Sequence, residues 1–126
     1  MQGWIAYEGE KFTIEWYYDE SGNSKVLEYF LKLPASQQDK LYNLFKVMGN
    51  VGKIFNRTKF NFEGDGIFAF KPQPYRFLCF FYSGSKIIVT NGFVKKQDKL
   101  PREEKERALL YKREYEIRVK KGIYYD

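Results

Sequence analysis

The sequence contains no histidine and a single cysteine, Cys79. Without imidazole, Ser-His-Asp and Cys-His nucleophile systems are excluded, as are zinc sites built from His and Cys. One thiol cannot close an internal disulfide, which suits a reducing compartment. Acid–base chemistry is therefore left to carboxylates, lysine, tyrosine or the substrate itself, and no residue set suggests a metal or other cofactor. Only 4 prolines and 10 glycines occur in 126 residues, against 44% hydrophobic residues, which excludes a disordered or fibrous chain. No apolar run approaches the ~18 residues that cross a bilayer. Residues 1–8 also lack the basic stretch and apolar segment of a secretory signal. The expectation is one cytoplasmic domain spanning residues 1–126, with no membrane association.

What is abundant is aromatic: 2 Trp, 11 Tyr and 12 Phe, rings large enough to give a small domain a substantial core. Charge is unevenly placed. Residues 1–50 carry 5 basic and 7 acidic side chains, whereas residues 51–126 carry 17 basic and 9 acidic. A basic half suggests a polyanion partner, and the aromatic content favours nucleic acid over a membrane surface. A solvated basic face is the plainer alternative.

The pattern along the chain predicts an α+β fold. Residues 11–18 alternate as a strand with Phe12, Ile14 and Trp16 on one face, and residues 1–10 are a candidate edge strand folded back through Glu8-Gly9-Glu10. Ser24 is placed to cap a short helix ended by Pro34. Ser36 is placed to cap a second, with Leu41, Leu44, Phe45 and Met48 on its buried face and Gly49 and Gly52 stopping it. Residues 67–71, 75–82 and 86–90 read as a three-stranded antiparallel meander, broken by Pro72-Gln73-Pro74 and Ser83-Gly84-Ser85. A last helix is expected over residues 101–119, with Ala108, Tyr111, Tyr115 and Val119 as one stripe and Leu110 and Ile117 opposite. The order is strand, two helices, three strands, helix, with the helices packed on one twisted, mainly antiparallel sheet.

Three groups of cations are candidates for function. Lys71 and Arg76 flank the Pro-Gln-Pro connection, so a hairpin would project them from nearby rungs at one end of the sheet. Lys95 and Lys96 follow the last strand, with Lys99 and Arg102 beyond. Lys53, Arg57 and Lys59 are interleaved with Phe55 and Phe60, a pattern that can bind single-stranded RNA through phosphates and stacked bases. The alternating charges of residues 105–121 read as a solvated helix face.

The order of these motifs resembles the RelE/ParE/HigB superfamily of bacterial toxins, and most closely its HigB-like branch. The likeness covers about residues 11–118. The run Ile67-Phe68-Ala69-Phe70-Lys71 followed by Tyr75-Arg76-Phe77-Leu78 is similar to the family's paired strands. The run Ile87-Ile88-Val89-Thr90-Asn91-Gly92-Phe93-Val94-Lys95-Lys96, with Lys99 and Pro101 beyond, is similar to the branch's signature. Two positions depart: Lys71 stands where arginine is more frequent, and Asn91 where histidine is. The resemblance implies a RelE-like fold and a toxin of a type II toxin–antitoxin system that cleaves mRNA on the ribosome. It further implies neutralisation by a helix-turn-helix antitoxin, through which alone the toxin would meet operator DNA. Arg76 matches the family's strand arginine, Lys71 the other basic position, and Lys96 or Lys95 the one after the last strand. These four are the candidate catalytic residues. Lys53, Arg57, Lys59, Asn91, Phe93 and Lys99 are the candidate RNA contacts.

Metal-independent cleavage would use the ribose 2′-OH against its neighbouring phosphorus, leaving a 2′,3′-cyclic phosphate and a 5′-OH. The planar fork of Arg76 suits the phosphoryl oxygens, clustered lysines would depress one another's pKa, and Tyr75 and Tyr82 are alternative proton carriers. Two other readings stay open: a ParE-like toxin that poisons gyrase without cleaving RNA, and a phage nucleic-acid-binding protein.

Overall fold

Two long strands, rich in aromatic and β-branched residues, organise the molecule. In the computed structural model, which describes residues 4–125, β5 (Tyr75–Tyr82) and β6 (Lys86–Val94) pair antiparallel at the centre of a six-stranded sheet. The other strands are β1 (Ile5–Glu8), β2 (Thr13–Trp16), β3 (Phe60–Phe62) and β4 (Phe68–Phe70), in the order β1-β2-β6-β5-β4-β3. All neighbours are antiparallel except β2 and β6, which run parallel from Thr13↔Lys86 to Trp16↔Val89. The fold is α+β, one mixed sheet carrying three helices. Residues 1–3 of the expected edge strand lie outside the described residues.

Alternation along the strands sorts the core into two layers. On one face Ile14, Trp16, Phe77, Ile87 and Val89 meet α1 (Lys25–Leu31) and α2 (Ala35–Val51) through Val26, Leu41, Phe45 and Met48. On the other, Ile67, Ala69, Leu78, Phe80 and Ile88 meet α3 (Arg102–Lys120) through Ala108 and Tyr115. Tyr124 closes that second layer from beyond the helix, stacked on Tyr18 at 4.2 Å.

Several boundaries differ from the sequence expectation. Ser24 does cap α1, accepting the Leu27 amide. Ser36 caps nothing, because α2 already begins at Ala35 with Pro34 at the cap position. Gly49 lies inside α2, and only Gly52, left-handed with φ 89°, ends it. At Gly49 the helix meets the β1–β2 turn: its carbonyl accepts the Lys11 and Phe12 amides, and a Cβ on Gly9 would lie 2.3 Å from its backbone. Pro101 stands at the cap of α3 rather than in its first turn. The expected strand at 86–90 continues to Val94, and β3 was not expected.

One irregularity matters for the site. Cys79 faces Val89 but Leu78 faces Asn91, so Thr90 has no partner of its own and bulges. The extra residue reverses the alternation along β6. Ile88 and Phe93, an odd number of positions apart, consequently both face α3.

Candidate active site

The bulge decides which lysine joins Arg76. Arg76 alternates in phase with Leu78 and Phe80, and Lys71 with Ile67 and Ala69, so both stand on the α3 side of the sheet. Beyond Thr90 the same side receives Phe93 and then Lys95. Arg76 and Phe93 are direct cross-strand partners, and the Lys95 amide donates to the Pro74 carbonyl at 2.8 Å, holding the end of β6 against the turn before β5.

Lys71, Arg76 and Lys95 line one cleft of about 70 Å³, with Lys99, the carboxylates Glu63 and Asp98, and the Phe93 ring. Arg76 is only 7% exposed. Its Nη1 donates to the Gln73 side-chain oxygen at 3.1 Å and to the Tyr75 carbonyl at 2.9 Å, which fixes the plane of the guanidinium. Lys71 Nζ donates to the Arg57 carbonyl at 3.2 Å. Burial depresses the Lys71 pKa below the ordinary lysine range, and the charges of Arg76 and Lys95 depress it further, against an opposing pull from Glu63. Burial likewise lowers Arg76, again opposed by Glu63. Four cations against two carboxylates suit an anionic group whose charge grows during reaction.

Glu63 was not singled out in the sequence. It ends β3 and opens the Gly64-Asp65-Gly66 turn into β4, its amide donating to the Ile67 carbonyl at 2.8 Å. The turn is held on α3 by the Lys105–Asp65 ion pair at 2.9 Å. Alternating Phe60-Asn61-Phe62 before a glycine-rich turn was the available signal.

The other expected residues are dispersed. Lys96 falls on the opposite side of β6 from Lys95 and lines a neighbouring cavity with Tyr29 and Glu104. Asn91 is buried, and its Nδ2 donates to the Glu104 carbonyl at 3.1 Å and carboxylate at 2.9 Å. That amide fastens α3 to the sheet, at the wall of a cavity of about 320 Å³. Phe93 is buried as the floor of the cleft, and Phe60 is buried in the α2-side core, so neither ring offers a free stacking face. Phe55, in contrast, is 85% exposed, with Lys53 Nζ 6.0 Å from its ring centre. Lys59 joins Lys71 around a cavity of about 280 Å³, while Arg57 reaches the site through its backbone. Tyr75 packs edge-on against Tyr29. Tyr82, at the far end of β5 and roughly 20 Å from Arg76 at strand rise, packs on Tyr115 and is removed from consideration as a proton carrier.

The residues lining the cleft all fall inside a stretch that is recognisable by family comparison. Residues 28–113 match the sequence profile of the family described as Phage derived protein Gp49-like (DUF891). A comparison with curated proteins gives no match. The matched span runs from within α1 into α3, well over half of the chain, and the chain accordingly belongs to the phage-derived Gp49-like family.

Proposed function

We propose that this protein is the toxin of a type II toxin–antitoxin system and a ribosome-dependent mRNA endoribonuclease. What supports the reading most is the convergence of Arg76, Lys71 and Lys95 on one cleft that also holds the carboxylates Glu63 and Asp98. Membership of the Gp49-like family and the likeness to RelE/HigB-type toxins support it further.

The chemistry follows from the residue types. The Arg76 fork takes two phosphoryl oxygens and stays charged throughout. Glu63, acceptor-only when ionised, receives the 2′-OH proton as the oxygen attacks phosphorus. Lys71, with its pKa lowered, returns a proton to the departing 5′-oxygen, and Lys95 adds to the field. No imidazole is needed. A modest acid–base pair suffices when the ribosome orients the RNA, because orientation alone supplies much of the acceleration. In a purified translation system Arg76→Ala should lose at least tenfold in cleavage rate, since a well-aimed donor to a developing oxyanion contributes ~10²–10³. An unchanged rate in a folded variant would sink the assignment.

Neutralisation by a helix-turn-helix antitoxin belongs to the same proposal. Leu110 and Ile117 stand out on α3, 43% and 47% exposed, as an apolar pair only partly covered by the other described residues. Replacing both with Asp should abolish co-purification with the neighbouring gene product while the far-UV dichroism stays unchanged. Retained co-purification would move the antitoxin elsewhere.

A further inference from the structure

Along one side of β6 the sheet is incomplete. Pairing with β2 ends at Val89, whose carbonyl accepts the Tyr17 amide at 2.9 Å, so residues 90–94 have only β5 beside them among the described residues. The Lys95 amide points toward β5, so by alternation the backbone groups of Gly92 and Val94 face the open side. Helix α1 flanks this edge from one face of the sheet and α3 from the other.

The edge is the floor of a groove that begins at the cleft. A cavity of about 540 Å³ shares Phe93, Gln97 and Pro101 with the cleft. A second, of about 320 Å³, shares Tyr29 and Gly92 with the first, and a third, of about 200 Å³, continues it past Lys25 and Tyr111. Cations outnumber carboxylates along the groove, Lys25, Lys96 and Arg107 against Glu104 and Asp19. The carboxylates present are already engaged: Glu104 by Arg107 at 2.7 Å and by Asn91, and Asp19 by the amides of Ser21 and Asn23. Lys25 and Lys96 are exposed and carry no ion pair among the described residues. Tyr29 lines the two larger cavities, its ring propped from behind by Tyr75 and Phe77. Burial first, then Tyr75 and Glu104, hold its hydroxyl above the ordinary range, so it remains a donor.

We propose that this groove carries the single-stranded RNA flanking the scissile phosphate, with Tyr29 as its stacking surface and Lys96 and Lys25 as phosphate contacts. The inference rests on the ribonuclease reading and adds a substrate track to it. Sequence-tolerant stacking on a propped ring next to exposed cations is how single strands are held. The open backbone edge of Gly92 and Val94 supplies a donor and acceptor row able to read an unpaired base. It also reassigns Lys96, which the bulge turns away from the reacting phosphate.

The test is cleavage kinetics in a reconstituted translation system, on messages carrying a single abasic nucleotide beside the cut. Tyr29→Ala should raise KM about tenfold or more with kcat near wild type, and Tyr29→Phe should restore it. The abasic message should reproduce the defect in wild type and add nothing to Tyr29→Ala. The exposed pair Lys25→Glu and Lys96→Glu provides the same reading if Tyr29→Ala misfolds. Wild-type kinetics in these variants would overturn the inference while leaving the ribonuclease intact. So would loss of a co-expressed protein partner with cleavage unchanged, since the groove would then belong to a peptide. Absence of cleavage by the wild type would remove both readings.

Discussion

The ammonium of Lys71 is poised by opposing neighbours, and that balance is open to titration. Burial and the cations of Arg76 and Lys95 push its pKa down from the ordinary lysine range, and Glu63 pulls it up. If the protonated form is the acid, cleavage is lost as pH rises through this lowered pKa, so the alkaline limb should lie below the ~10.4 of a reference lysine. Removing a cation relieves the repulsion, and Lys95→Met should move that limb to higher pH. Glu63→Gln removes the pull and should move it lower. A pH–rate profile in which the two variants leave the alkaline limb in place would remove Lys71 from proton transfer. Arg76 and Lys71 were legible in the sequence because each is adjacent to a strand end and fills a family position. The choice of Lys95 over Lys96 was not, because it turns on one unpartnered residue, Thr90, whose bulge no local pattern announces. Asn91 and Phe93 were read as RNA contacts from the family-like run 87–96, with the strand expected to end at residue 90. In fact Gly92 lies within it, where a Cβ would meet the Phe77 ring at 2.5 Å.

At the scale of elements, α1, α2, α3 and the β4–β5–β6 meander follow from local periodicity and turn residues, which is why they could be read. The parallel β2–β6 pair could not, since it joins segments more than seventy positions apart with no turn to mark it. Strand β3 is three residues long, too short for alternation to stand out, and with it went Glu63. The junction of the β1–β2 turn with α2 makes a prediction of its own. Glycine to alanine usually stabilises a chain by ~0.4–1 kcal/mol where the backbone accepts it. A Cβ at Gly9, however, meets the Gly49 backbone at 2.3 Å, and no flexible side chain is there to yield. Gly9→Ala should therefore cost about 1–3 kcal/mol, the range for overpacking, and lower Tm by several degrees in a thermal melt. A raised or unchanged Tm would mean that the turn does not pack on α2 as described.

For the molecule as a whole, the two cores divide the labour of holding the cleft. The α2 side anchors β5 through Phe77, and the α3 side sets the wall that carries Lys99 and Pro101. The aromatic residues fill both layers, and a tyrosine cluster closes the α3 side. There Arg118 lies buried over the Tyr124 ring at 4.6 Å and donates to the Tyr18 carbonyl at 2.8 Å, and the Tyr18 hydroxyl donates to the Tyr124 carbonyl. This cluster is built from residues on either side of the matched span 28–113. Part of the basic excess of residues 51–126 lines the cleft and the cavity beside it, through Lys71, Arg76, Lys95, Lys99 and Lys96. The measurement that bears most directly on this account is the chemistry of the RNA ends left after incubation with programmed ribosomes. The wild type should leave 2′,3′-cyclic phosphate and 5′-hydroxyl termini within the message, and Arg76→Ala should form them at least tenfold more slowly. Intact message, 3′-hydroxyl termini, or equal yields from the two proteins would contradict it.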